Sequence, residues 1–211
     1  LADVGIYSPT AKGEVSNVTG IPVSLCGPTI LDLLDIPTVS DYNAQPGIIA
    51  AARGAYAGWR GASIYRSDDD GVTWLEEARV VNPGATTAIA NGTIGSGPTN
   101  AMDTANILNV RISTGDFSTV SELALFNGAN HFAYGVAGRW EIIGVKTVSL
   151  QSDGTYNLSN LLRGRYGSEW AMTTHQNNDQ LILLDAAKLS FAPCPTSIIG
   201  ASRKWAALGY Q

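Results

Sequence analysis

The side chains suited to acid–base chemistry are eighteen carboxylates and two histidines, His131 and His175. Cleavage of a glycosidic bond needs two carboxyl groups roughly 5–10 Å apart across that bond. Asp68, Asp69, Asp70, Glu76, Glu77, Asp103, Asp116, Glu122, Glu141, Glu169, Asp179 and Asp185 are on offer, and no spacing among them selects a pair. Both histidines read as loop or surface residues, because no local Cys or carboxylate spacing completes a zinc site around them. The members of a Ser-His-Asp triad can come from anywhere in a chain, but no G-x-S-x-G elbow points to one. No phosphate-cradling G-x-x-x-x-G-K-[ST] loop is present either. These residues lead to the expectation of a chain that is not an enzyme and holds no metal and no cofactor.

One stretch has the spacing of a known motif. "SDDDGVTW" (Ser67–Trp74) fits S-x-D-x-G-x-T-W, the Asp-box of sialidase propellers and other sugar-handling β-proteins. Each position also has a job in a hairpin. Asp69 can accept backbone N–H groups across the turn, Gly71 supplies a φ that other residues resist, and Trp74 can fold over the turn. A propeller needs several blades of roughly 40–50 residues, and the motif occurs once. Ser67, Asp69, Gly71 and Trp74 are therefore read as a structural motif.

The other idiosyncratic stretch is "NLLRGRYGSEWA", residues 160–171. It reads as a strand end breaking into a tight loop through Gly164 and Gly167. Arg163 and Arg165 would hold neighbouring carbonyls or carboxylates bidentately, with Glu169 close by; an anion or ligand site is the alternative. Exposed aromatics grip sugar rings, whereas buried strand aromatics are commoner. Trp59 and Trp170 are the candidate glycan contacts.

The elements that must position these groups read as strands and turns. "GIIAAARGAYAGW" is alanine-rich, yet Pro46 before it and the glycines at 54 and 58 favour an extended segment over a helix. "GASIYRS" and "TWLEEARVV" form a hairpin around the Asp-box. "NPGATTAIANGTIGSGPTN", residues 82–100, is the best linker or long loop. "NILNVRIS", "ELALF", "HFAYGV", "RWEIIGVKTVSL", "TYNLSNLL" and "QLILLD" follow as strands, with Asp153-Gly154 a strong hairpin turn. The one helical turn expected here covers Ser168–Thr173, with Ser168 as N-cap. This is an all-β chain with long loops and few short helical turns, in two β-rich subdomains, 1–95 and 96–211.

Bulk properties narrow the partners. The net charge is −5, with no Lys/Arg cluster beyond "RGR" or "RK", so nucleic acid is not an expected partner. No apolar run reaches the roughly 20 residues of a transmembrane helix. Charged residues are only 15% of the chain, against a usual quarter or so, which suggests a surface partly covered by neighbours. The opening "LADVGIYSPT" begins in mid-phrase, as expected of a fragment of a larger protein. Cys26 and Cys194 read as two free thiols or a long-range disulfide; neither is selected.

From Gly128 to Asp185 the residues carry a resemblance. A "GAN" turn (Gly128-Ala129-Asn130), a G-x-W-E-I strand (Gly138–Ile142), the run Tyr156–Glu169 containing "LLRGRYGSE", and a strand ending in Leu-Asp (Leu181–Asp185) occur in that order. "LLDIPTVSD" (Leu33–Asp41) and the "GWRGASIYRSDDDG" segment agree more loosely. Together they resemble the C-terminal region of phage tail-tip, or baseplate hub, proteins, with those of gene transfer agents the nearest kin. The resemblance spans roughly residues 30–190. It implies β-sandwich-like subdomains of fibronectin or carbohydrate-module type and a structural role in the virion tail tip, as a homotrimer assembled in the host cytoplasm. Implied partners are other phage tail proteins and a host-surface glycan or receptor. A glycan-binding module for host polysaccharide is the alternative, and a glycoside hydrolase a more distant one.

Overall fold

The structure, a computed structural model, describes residues 27–40, 43–81 and 83–210. The described residues are mostly β, as the turn-rich sequence leads one to expect. Twelve strands form a closed six-stranded barrel and two three-stranded sheets.

The first sheet has the order β1 (Thr29–Leu34), β2 (Gly47–Gly54), β11 (Ser190–Pro193). β2 contains the alanine run and is extended, as the flanking glycines predict. Its cause is burial on both faces. Ile49 and Ala51 point to the outer wall of the barrel, whereas Ala50 and Ala52 point to the second sheet. A strand covered on both faces reads as a continuous apolar run, and methyl side chains let both neighbours approach closely. The second sheet, β12 (Lys204–Tyr210), β3 (Gly61–Ser67), β4 (Leu75–Val81), meets Ala50 and Ala52 with Ala62, Ile64 and Val80. The expected hairpin around the Asp-box is β3 and β4.

The barrel runs in the order β10 (Gln180–Leu183), β5 (Thr87–Ala90), β6 (Leu108–Thr114), β9 (Tyr156–Arg165), β8 (Glu141–Leu150), β7 (His131–Gly135), and back to β10. Closure leaves no unpaired edge. Alternation fills it: Ala88, Ala90, Leu108, Val110, Phe132, Tyr134, Ile143, Val145, Leu158, Leu161 and Leu181 form one buried cluster. The intervening Ala133, Ile142 and Ile182 face outward against β2. Asn160, at φ 55, lies between Leu158 and Leu161, both of which point inward. The β8–β9 hairpin closes through Gly154 at φ 82, with Gln151 N donating to Thr155 O.

Three expectations differ from the structure. "ELALF" is not a strand but a helix, α1 (Glu122–Phe126), whose N-cap Ser121 accepts a hydrogen bond from Ala124 N. The segment 82–100 is no simple linker, because it contains β5 and then a strap that closes the barrel mouth. Strand pairing does not divide near residue 95: β5 belongs to the barrel, while β11 and β12 return to the sheets begun by β1–β4. Among the described residues no helix is long and apolar enough to cross a membrane.

Candidate functional site

At one mouth of the barrel, strand ends and loops bring together a group of buried charged residues. Glu141 opens β8 and points inward, in phase with Ile143 and Val145. Arg163, near the end of β9, meets it fork to fork: Nε donates to Oε1 at 2.8 Å and Nη2 to Oε2 at 2.9 Å. Gly164 N adds a third donor to Oε1 at 2.9 Å. The Nη1 of Arg163 reaches the strap, donating to Gly95 O at 2.8 Å and facing Asp103 Oδ2 at 3.4 Å. Asp103 is itself tied to the wall, since its backbone pairs with Leu161.

The other side of the mouth is closed by residues 174–179. His175 Nε2 donates to Glu141 Oε2 at 2.6 Å, and Nδ1 lies 3.4 Å from Asp179 Oδ2. The imidazole stacks on the Tyr134 ring, 3.7 Å between centroids and 17° between planes. Arg139 grips Asp179 through both terminal nitrogens, at 2.6 and 2.5 Å. The side chains of Arg163 and Glu141 are fully shut from solvent, and those of His175, Asp103 and Asp179 are no more than 2% exposed.

Burial alone would raise all three carboxyl pKa values. For Glu141 the hydrogen bonds from His175 and Arg163 outweigh that desolvation and hold it below the usual range. Asp103 is lowered in the same way by Asn106 and nearby backbone N–H groups, and Asp179 by Arg139. Arg163 is raised despite its burial by Glu141 and then Asp103. Burial pushes the Tyr134 phenol up, helped by the charges of Asp179 and Glu141. The constellation is a set of buried ion pairs in which the charged forms of Glu141, Asp103, Asp179 and Arg163 are favoured, while His175 Nδ1 and the Tyr134 hydroxyl have no hydrogen-bond partner. It joins strap, wall and loop into a polar plug, and its carboxylates are sealed from any substrate.

The expected site residues fall in three places. Arg163 does hold a carboxylate bidentately, inside the plug. The histidines correct the surface reading, because the fold buries both side chains and no local spacing announces it. His175 belongs to the plug, and His131 is 5% exposed on β7, under the edge of the Tyr166 ring at 5.8 Å. Burial, with the nearby charge of Arg165, lowers the His131 pKa to about 4. Glu141 and His175 lie 34 residues apart, so no local pattern announces their contact.

The Asp-box is a hydrogen-bonded turn. Asp69 Oδ1 accepts from Thr73 N at 2.8 Å and from the Ser67 hydroxyl at 2.8 Å, while Oδ2 accepts from the Thr73 hydroxyl at 2.6 Å. Gly71 N donates to Ser67 Oγ at 2.8 Å, and Trp74 Nε1 donates to Gly71 O at 3.1 Å. Asp70 and Gly71 take the left-handed φ values 62 and 98. The Thr73 hydroxyl and amide hold Asp69 down at about 2.

Trp59 corrects the glycan expectation. It is 2% exposed, its indole donates to Thr29 Oγ1 at 2.9 Å, and its ring packs where Gly54 and Gly84 leave room. Trp170 is 58% exposed. It sits on the tight turn that follows Arg163, with Gly164, Tyr166 and Gly167 all at positive φ. Ser168 occupies the cap position of the 3-10 turn Glu169–Thr173 without capping it by its side chain. Its hydroxyl instead donates to Arg165 O at 2.7 Å and accepts from Ile142 N at 2.8 Å, which rivets the turn to β8. Cys26 lies outside the described residues; the Cys194 thiol is half-buried, and desolvation raises its pKa.

Residues 85–182 match the family model Rcc01698-like, C-terminal. No curated protein matches the chain. The Rcc01698-like segment takes in the barrel from β5 into β10 and every residue of the plug, as well as the turn bearing Trp170. The Asp-box, Trp59 and the two outer sheets lie outside it.

Proposed function

We propose that this chain is a structural component of a phage tail tip, part of a baseplate hub, and that it performs no catalytic step. The observation that carries the reading is a coincidence of two segments. The denser part of the resemblance to tail-tip hubs, Gly128 to Asp185 with "LLRGRYGSE" within it, lies almost entirely within the Rcc01698-like match, whereas its looser part, from about residue 30, lies before it. Physical features support a structural module over an enzyme. The barrel is filled by side chains, and its mouth is locked by ion pairs closed to solvent. The packing of two three-stranded sheets across Ala50, Ala52 and Ile64 supports the sandwich-like subdomain that the resemblance implies. In this reading the chain sits in the virion as a homotrimer among other tail proteins, and supports assembly, fibre attachment or host-surface contact.

The test is direct. Antibody against this chain should label the tail tip in electron micrographs of purified virions, and cross-linked virions should yield a trimer of it. Virions that carry the chain elsewhere, or lack it, would overturn the proposal.

A further inference from the structure

The two small sheets end together on one side in β1 and β12, and on the other in β11 and β4. The β11–β4 side is protected against further strand pairing. β11 has only four residues and ends in Pro193, β4 carries Glu76, Glu77 and Arg79, and the Ser190 hydroxyl donates to Arg79 O between them. Short length, proline and charge are the usual means of blunting a sheet edge. β12 lacks all three. Its seven residues, "KWAALGY", contain one charge, on Lys204 at the start of the strand, where the ammonium is turned to Asp70 at 2.8 Å. Its pairing with β3 runs without a bulge, whereas the β3–β4 register shifts after Ile64. Among the described residues β12 pairs with β3 alone, so one row of its backbone N–H and C=O groups points out of the sheet. No residue of β12 is fully buried, and Leu208 is 66% exposed.

We propose that the β12 edge is an interface with a second copy of this chain, the two β12 strands pairing antiparallel about a twofold axis at Ala207. The strand is complementary to itself in that register. Ala207 meets Ala207, Ala206 meets Leu208 and Lys204 meets Tyr210, so no like charges face each other. Ala206, Leu208 and Tyr210 stay on one face across the join, because strand residues alternate between faces. The second sheets of both copies then run on as one six-stranded sheet. The backbone groups alone would accept any extended strand; the side-chain match selects a second copy. The contact is isologous. It goes beyond the tail-tip proposal and leaves the rest of the surface for threefold assembly.

Sedimentation velocity of the purified chain over a concentration series should show a monomer–dimer equilibrium. In the proposed register the two Leu208 side chains are diagonal neighbours, within reach of long charged groups. Leu208→Lys and Leu208→Glu should therefore each raise the dimer dissociation constant about tenfold or more, and an equimolar mixture of the two should restore it. Restoration separates a broken contact from a broken fold, and it requires that residue 208 of one copy meets residue 208 of the other. Val81→Lys, two strands away in the same sheet, should leave the constant unchanged. A chain monomeric at every concentration, a dimer indifferent to both Leu208 variants, a mixture that fails to dimerise, or an equal loss in Val81→Lys would overturn the proposal.

Discussion

The guanidinium of Arg163 and the carboxylate of Glu141 form two parallel hydrogen bonds, 2.8 and 2.9 Å long, in a place no water reaches. Removing one partner of such a pair strands the other without its counter-charge. Arg163→Met should therefore lower the unfolding free energy by about 3–5 kcal/mol. The double variant Arg163→Met with Glu141→Gln should recover part of that loss. Urea denaturation of the two variants measures both.

Acid should weaken the fold in two separate windows. His131 has a folded-state pKa of about 4 against an ordinary 6.5, so the unfolded chain takes up its proton first. Stability then falls as pH drops from about 6.5 to about 4, by on the order of 3 kcal/mol in full. His131→Phe should flatten the melting temperature across that window. Asp103, Glu141 and Asp179 are all held below the usual carboxyl range. Their contribution is complete above the unfolded values near 4 and is lost below them. Melting curves of the wild type below pH 4 should therefore show a second decline, shallower in Glu141→Gln.

Gly97 brings the strap against the plug with no room for a side chain. A methyl there would collide with the Asp103 carboxylate and come within 3.1 Å of Arg163 Cγ. Gly97→Ala should cost about 1–3 kcal/mol and free the strap. Hydrogen exchange should speed up at the Ala105 and Asn106 amides, which now donate to Asp103.

Asp69→Ala should behave differently, because its contacts are local. The Thr73 amide loses its acceptor and should exchange faster, with the urea midpoint of the chain little moved. A large drop in that midpoint would give the Asp-box a wider role than its turn.

Much of the fold was legible wherever the signal is local. Asp153-Gly154 and Asp69 to Gly71 predict their hairpins, since turn chemistry acts within a few residues. The glycines around the alanine run separate β2 from a helix for the same reason. Closure of the barrel was not legible, because β10 must pair with both β5 and β7 across more than forty residues of chain. "ELALF" misleads because five apolar-rich residues fit either period; Ser121 before Glu122 was the available helix-start signal. The plug was half visible. Arg163 stands out beside its glycine, but His175 and Asp179 acquire their roles only through partners brought in by the fold. Trp59 and Trp170 are indistinguishable by type, and only burial separates them.

β1 and β12 run side by side where Thr29 Oγ1 lies 2.6 Å from the position a Cβ on Gly209 would take. The strands through which the described chain begins and ends are thus neighbours, and the whole barrel is a loop of chain inserted between β4 and β11. Tension between β1 and β12 would be borne by the hydrogen-bond ladders of the two small sheets. The barrel hangs off that line of force. A pull that peels the outer sheets apart would leave its plug, its strap and the Tyr166 turn intact and still displayed.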